Sequence, residues 1–169
     1  MSDSRNAIRI DQGVLSAMAE GAAAAYPNEG CGALLGQSPG GVRRISATLA
    51  VPNTETGTPR MRFEVAPRDY LAVEDEADRR GLSLLGFWHS HPDDTAQAST
   101  TDRAYAWEGL LTIIVSVPGG APREVIAWEI LGPEAPFTPV PIEESGTGHP
   151  VTKLSAPSAP PAPATLAPS

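Results

Sequence analysis

Two of the chain's three histidines, His89 and His91, lie two residues apart at the end of an apolar run. Side chains alternate between the two faces of a strand, so these imidazoles are expected to point the same way. Asp102 follows eleven residues after His91. Two imidazoles and a carboxylate suit a Zn2+ site with three protein ligands, which leaves the fourth position for water. The pattern therefore predicts a catalytic metal site.

Each part of this pattern also has an ordinary structural explanation. Two strand histidines can be polar residues at the end of a sheet, and Ser99-Thr-Thr-Asp102 resembles a helix capping box. A third feature favours the metal site: Glu29 stands at the start of an apolar strand, where hydrolysis would need a base beside the metal. Capping and metal binding by Asp102 are compatible, because a helix can hold this residue in place while Ser99 caps it.

Taken together, these residues resemble the motif of the JAMM (MPN+) metalloproteases. The motif elements are Glu29, the run His89-Ser90-His91-Pro92, seven residues counted from Pro92 to Ala98, and Ser99-x-x-Asp102. The resemblance covers roughly residues 8–130. It implies a curved mixed β-sheet flanked by helices.

The resemblance also implies a role for each residue. His89, His91 and Asp102 would bind Zn2+, with water as the fourth ligand. Glu29 would act first as the general base and then as the general acid. Ser99 would donate a hydrogen bond to the oxyanion of the tetrahedral intermediate.

The substrate implied by the short prokaryotic members of this family is a ubiquitin-like sulfur carrier protein. The enzyme would hydrolyse the bond after its C-terminal Gly-Gly and release cysteine or a short peptide, with the extended tail paired to a sheet edge. One alternative is a deconjugase that removes ubiquitin-like modifiers from protein lysines. A second is a metal-free MPN scaffold without catalysis. The cognate carrier, the leaving group and any homo-oligomer stay open.

The elements expected around the motif follow from apolar periodicity and turn residues. Asp11 is predicted to cap a first helix that Pro27 ends, and Gly81 to stop a second helix that begins at Pro67. A third helix is expected over 99–107, and strands over 31–36, 42–51, 62–65, 82–92, 110–117, 124–130 and 137–142. Pro92 is expected to interrupt strand pairing. Strands joined by short turns predict an α+β or mixed α/β fold.

Composition narrows the choice of partners and compartments. The chain has 169 residues, with 12 Lys and Arg against 20 Asp and Glu, a net charge of −8. This balance disfavours nucleic acid and anionic membrane surfaces as partners. The single cysteine, Cys31, excludes an internal disulfide and a thiolate zinc cluster, which favours a cytoplasmic protein with a buried thiol. We expect a metalloprotease domain over 1–144 and a disordered Pro/Ala/Ser-rich tail over 145–169.

Overall fold

The computed structural model describes residues 6–155, which form an eight-stranded sheet and three α-helices. The strands are β1 (Ile8–Ile10), β2 (Cys31–Gln37), β3 (Arg44–Val51), β4 (Ser83–Pro92), β5 (Leu111–Val117), β6 (Val125–Ile130), β7 (Phe137–Val140) and β8 (Ile142–Glu144). The helices are α1 (Gln12–Ala25), α2 (Pro67–Arg79) and α3 (Thr100–Tyr105). No helix within residues 6–155 has the length and apolar character needed to cross a bilayer.

The sheet has the strand order β7-β6-β5-β4-β2-β3-β1-β8. The pairs β4–β5, β1–β3 and β1–β8 are parallel, and the other neighbours are antiparallel. This mixed sheet with flanking helices confirms the predicted fold class. The two edge strands, β7 and β8, follow one another in the chain with only Pro141 between them.

The two longer helices cover different sets of strand side chains. Helix α1 packs its buried residues against a cluster that includes Trp88 of β4. Helix α2 packs Val73 and Ala77 against a second cluster that includes Phe87 of β4. Because neighbouring residues of a strand face opposite sides, His89 shares the α2 side with Phe87, and Ser90 shares the α1 side with Trp88.

The helix ends confirm one sequence prediction and correct another. Gly81 follows α2 with φ of 67°, the left-handed conformation expected of a glycine stop. Asp11 occupies the N-cap position of α1, but its side chain makes no capping hydrogen bond. Its carboxylate instead accepts a hydrogen bond from Arg44 of β3 at 3.4 Å. The predicted capping role of the Asp11 side chain is therefore wrong.

The predicted strand over 62–65 is also wrong, because the backbone of this segment is hydrogen-bonded to the side chain of Asn53 and not to a neighbouring strand. The amide group of Asn53 donates to the Arg62 carbonyl at 3.0 Å and accepts from the Glu64 N–H at 3.1 Å. Phe63 and Val65, the alternating apolar residues, pack against the α2-side cluster. The alternation that suggested a strand therefore reflects burial of one side of an extended loop.

The C-terminal part of the described chain lies against the core. The predicted strand over 137–142 is divided into β7 and β8. Further on, the Val125 N–H donates to the Thr152 carbonyl at 3.0 Å, and Val151 and Leu154 pack against the α1-side cluster. The tail predicted from residue 145 thus includes a packed stretch as far as Ser155. Its remainder, 156–169, lies outside the described residues.

Candidate metal centre

Four buried polar side chains from three separate segments meet on the α2 side of the sheet. They are Glu29, just before β2, His89 and His91 of β4, and Asp102 of α3. Their exposed fractions are 3%, 1%, 8% and 9% respectively. One potential ligand atom from each lies within 4.8 Å of the others. The structure therefore brings together all four residues that the sequence pattern singled out for metal binding and proton transfer.

Strand β4 carries both histidines in the middle of the sheet. It pairs with β2 on one side, His89 opposite Cys31, and with β5 on the other. Pairing with β5 continues to Pro92, opposite Val117, so the predicted interruption at Pro92 is wrong. The chain turns one residue later at Asp93, whose φ of 55° is left-handed, a conformation that aspartate tolerates better than most residues.

Glu29 is held in place through hydrogen bonds of its backbone. Its N–H donates to the Pro59 carbonyl at 2.8 Å, and its carbonyl accepts from the Asn53 side chain at 3.0 Å. The next residue, Gly30, is hydrogen-bonded to Ser90 of β4. One carboxylate oxygen of Glu29, Oε2, is buried with no hydrogen-bond partner among the described residues.

Helix α3 fixes Asp102 through a capping box. The Asp102 N–H donates to the Ser99 hydroxyl at 3.0 Å, and the Ser99 N–H donates to Asp102 Oδ2 at 2.8 Å. The same carboxylate also contacts both imidazoles, at 2.9 Å from His89 Nε2 and 3.1 Å from His91 Nε2. The capping box expected from the sequence is confirmed, and it coexists with the placement of Asp102 beside the histidines.

Each imidazole is also oriented by a second contact. The Nδ1 of His91 lies 2.8 Å from the Thr95 carbonyl oxygen. A carbonyl can only accept, so this nitrogen carries the proton and Nε2 is the one available to a metal. The ring of Phe63 stacks on His89 with 4.6 Å between centroids. His89 Nδ1 is buried and has no hydrogen-bond partner within residues 6–155.

Burial and mutual contacts shift the pKa of each group. Burial raises the pKa of Glu29 to about 8, while His91 opposes and Asp102 adds to this effect. Burial disfavours ionisation of Asp102, but its contacts with both histidines outweigh this effect and hold its pKa well below the usual range. Burial lowers the pKa of His89. For His91, burial is outweighed by the Asp102 contact, and the pKa is raised.

This donor set fits a zinc ion. Imidazole nitrogens and a carboxylate oxygen are ligands that Zn2+ accepts, and Mg2+ or Ca2+ would call for a shell of oxygens. A buried carboxylate oxygen without a partner, Glu29 Oε2, is the kind of atom that a neighbouring cation or water satisfies. The four residues are therefore suited to holding a metal ion.

The sequence of this region matches a known family. Residues 11–131 match the family model described as Prok-JAB, prokaryotic homologs of the JAB domain. The chain belongs to the Prok-JAB family. A desampylase from Haloferax volcanii is 34% identical to it over 122 residues, which cover 70% of this chain and 86% of that protein.

Solved structures agree with the Prok-JAB assignment. The solution structure of a protein from Desulfitobacterium hafniense superposes with a TM-score of 0.69 at 25% identity, covering 84% of this chain and 98% of that one. A JAB1/MPN domain protein from Archaeoglobus fulgidus gives a TM-score of 0.50 at 18% identity, covering 80% and 97%. At that identity, the second comparison supports the fold alone.

Sequence reasoning missed two contacts of the Prok-JAB centre. The Thr95 carbonyl is a backbone atom, so no residue type marks its position. Phe63 was expected in a strand, and its stacking on His89 follows from how the loop over 52–66 folds back across the sheet. Beside it lies a cleft of about 150 Å3 lined by Glu55, Arg62, Phe63, Glu64, Val65 and Trp107.

Proposed function

We propose that this chain is a zinc-dependent peptidase of the JAMM type. It cleaves the bond that joins the C-terminal residue of a ubiquitin-like protein to the group attached to it. The observation that carries the proposal is the buried oxygen Oε2 of Glu29, which has no hydrogen-bond partner in residues 6–155 and lies beside two histidines and an aspartate. A purely structural cluster would pair such a carboxylate with a hydrogen-bond donor, since an orphaned buried polar group costs about 1–3 kcal/mol.

In this mechanism His89, His91 and Asp102 hold the metal. When bound, Zn2+ would supply Lewis acidity toward water and the scissile carbonyl, and a positive charge that favours ionised Glu29. The Glu29 carboxylate accepts the proton of the attacking water. It then returns this proton to the nitrogen of the departing amine.

Ser99 is the proposed donor to the substrate oxygen. Its hydroxyl oxygen accepts the Asp102 N–H, so the hydroxyl proton is free to be donated elsewhere. Ser99 is exposed at the start of α3, so a substrate carbonyl can approach it from solvent. One such donor to a developing oxyanion contributes about 10²- to 10³-fold in turnover.

Similarity to a desampylase supports an isopeptidase that acts on ubiquitin-like modifiers. The sulfur carrier expected from the sequence is a narrower prediction, in which the leaving group is cysteine or a peptide. The cleft beside Phe63 offers a path for an extended chain near the centre. A location in the cytoplasm is likewise a prediction.

The decisive experiment combines metal analysis with two substrate classes. Protein purified without added metal is analysed for zinc and then incubated with lysine-linked ubiquitin-like conjugates and with Gly-Gly carriers extended by cysteine or a peptide. Intact mass reports cleavage. Cutting of the first class alone favours deconjugation, and cutting of the second favours the sulfur carrier. If zinc-loaded protein cleaved neither substrate class, the peptidase assignment would be wrong. If the His89→Ala/His91→Ala variant retained all of its zinc, the assignment of the metal site would be wrong.

A further inference from the structure

The connection between β4 and α3 is held at its midpoint by one side chain of β6 and one from the residue just before β6. Ala96 is fully buried at 0% exposure, although Thr95 and Gln97 on either side are exposed. Its N–H donates to Glu124 Oε1 at 3.3 Å, and its carbonyl accepts from the indole N–H of Trp128 at 3.1 Å. Both backbone groups of this loop residue are thus bound, one by the residue just before β6 and one by a residue within β6.

The sheet register places these two side chains on the side of the metal centre. Trp128 is paired with Thr112 of β5, and Thr112 with Phe87 of β4. Paired residues of neighbouring strands share a face, so Trp128 lies on the same side as Phe87 and His89. Glu124, four residues before Trp128, shares that side. The two side chains that bind Ala96 therefore lie on the same side of the sheet as the histidines.

One peptide unit connects the Glu124 contact to His91. The Ala96 N–H and the Thr95 carbonyl belong to the same planar amide group, whose two ends point in opposite directions. The N–H end binds the Glu124 carboxylate, and the C=O end binds His91 Nδ1 at 2.8 Å. Hydrogen bonds in such a chain polarise one another, so a carboxylate on the N–H end strengthens the carbonyl as an acceptor.

We propose that Glu124 and Trp128 are positioning residues of the metal centre, which act on His91 through Ala96. Glu124 binds the N–H of the Thr95–Ala96 amide, and Trp128 binds the carbonyl of the next amide, so the two side chains fix Ala96 from both sides. The Thr95–Ala96 amide in turn holds the proton on His91 Nδ1 and turns Nε2 toward Asp102. The metal-binding part of this inference rests on the proposed function. The orientation of His91 does not, because it is a property of the protein without metal.

The closing experiment compares variants of Glu124, Trp128 and a control residue on β6, Glu129. Glu124→Ala removes the acceptor for the Ala96 N–H, whereas Glu124→Gln keeps an acceptor oxygen. Glu129→Ala is the matched control: it removes a β6 carboxylate that pairs with Arg43 at 3.0 Å, away from Ala96. Trp128→Phe removes the indole N–H and retains an aromatic ring.

Two readouts separate positioning from general destabilisation. In zinc-free protein labelled with ¹⁵N-histidine, long-range ¹H–¹⁵N spectra follow the His91 Nδ1 proton. We expect it to be protected in the wild type, Glu124→Gln and Glu129→Ala, and lost to solvent exchange in Glu124→Ala and Trp128→Phe. Chelator competition should give Zn2+ binding about 10-fold weaker in these last two variants, the lower end of the effect of outer partners of metal ligands.

Each outcome decides the proposal. A protected Nδ1 proton in both Glu124→Ala and Trp128→Phe would overturn it, and so would an equal loss of zinc affinity in Glu129→Ala. If wild-type protein bound no zinc while the Nδ1 proton responded as expected, the positioning role would stand and the metal-dependent function would fail.

Discussion

The Ser90 hydroxyl accepts a hydrogen bond from the Gly30 N–H at 2.8 Å, while the Ser90 N–H donates to the Gly30 carbonyl at 3.0 Å. These two bonds join β4 to the residue that follows Glu29. Ser90 lies between the two histidines but faces the α1 side, so it serves the opposite side of the strand from them. The carboxylate and the imidazoles are thereby fixed relative to one another through the backbone.

Replacing Ser90 with alanine should therefore affect Glu29 more than the metal ligands. Ser90→Ala leaves the buried Gly30 N–H without its side-chain acceptor, which costs about 1–3 kcal/mol in the free energy of unfolding. We expect lower turnover with zinc still bound, measured by peptidase assay, denaturant unfolding and metal analysis. Ser83→Ala, an exposed site on the same strand, is the control. Wild-type turnover in a measurably destabilised Ser90→Ala would argue against this link.

Glu29→Gln should keep the fold and the metal and lose nearly all turnover. The amide resembles the carboxylate in shape but cannot accept the proton of water. General acid–base catalysis contributes about 10²- to 10⁴-fold, and a loss in that range is expected. Metal content and turnover are measured on the same preparation. A zinc-loaded Glu29→Gln with wild-type turnover would remove Glu29 from the mechanism.

The contribution of Glu29 to the stability of the metal-free protein should fall as pH rises from about 5 to about 8. Burial raises the pKa of Glu29 to about 8, against about 4.3 for an exposed carboxyl. The native state then retains a proton that the unfolded chain releases, so the free energy of unfolding decreases across this window, by on the order of a few kcal/mol.

Chelator-treated wild type and Glu29→Gln, unfolded in urea at several pH values, provide the comparison. The variant has no group to ionise at this position, so its stability should depend less steeply on pH. Added zinc should flatten the wild-type curve as well, because the cation favours the charged carboxylate. Parallel curves for the two metal-free proteins would contradict the raised pKa.

Ser99→Ala should lower turnover by about 10- to 1,000-fold and also weaken α3. The hydroxyl is both the proposed donor to the oxyanion and the acceptor of the capping box, and loss of such a cap costs about 1 kcal/mol. Ser99→Thr retains a hydroxyl for both purposes and is the control. Turnover that falls no more than zinc occupancy does would show that Ser99 acts only as a cap.

Cys31 should be inert in the native protein. Burial raises the pKa of its thiol to about 12, and the thiol contacts the Val51 carbonyl at 3.3 Å. Since the thiolate is the reactive form, a chromogenic disulfide reagent at about pH 8 should modify Cys31 only after unfolding. The same protein in denaturant is the positive control. Stoichiometric reaction of the folded protein would contradict this burial.

The residues of the site could be predicted from the sequence better than the conformation of the loops around them. His89 and His91 are related by strand alternation, and Asp102 by a capping pattern, so local rules place each near a predictable end of an element. Their approach to Glu29 depends on the register of β2 against β4, which the ordered motif indicated only through its resemblance to a family.

The segments that the sequence patterns missed or misassigned have different physical causes. Residues 62–65 alternate like a strand, but an Asn53 side chain takes their hydrogen bonds, and periodicity does not distinguish these cases. Strand β1 has three residues, too few for a period to emerge. In the stretch after 145, Val151 and Leu154 pack against the core although the composition around them resembles that of an unstructured tail.

Pro141, which joins the two edge strands, leads into a strand that pairs with β1, far away at the start of the described chain. Ile8 of β1 is paired with Ile142 of β8, and among the strands of residues 6–155 β1 otherwise pairs only with β3. Pairing across so many residues carries a loop-closure cost and slows folding. Until Ile142 leaves the ribosome, β1 presents an open edge to other chains. Pairing of β8 with β1 therefore closes this edge. Ribosome-bound chains halted before β8 should cross-link to other copies of the chain more than chains halted after Ser155.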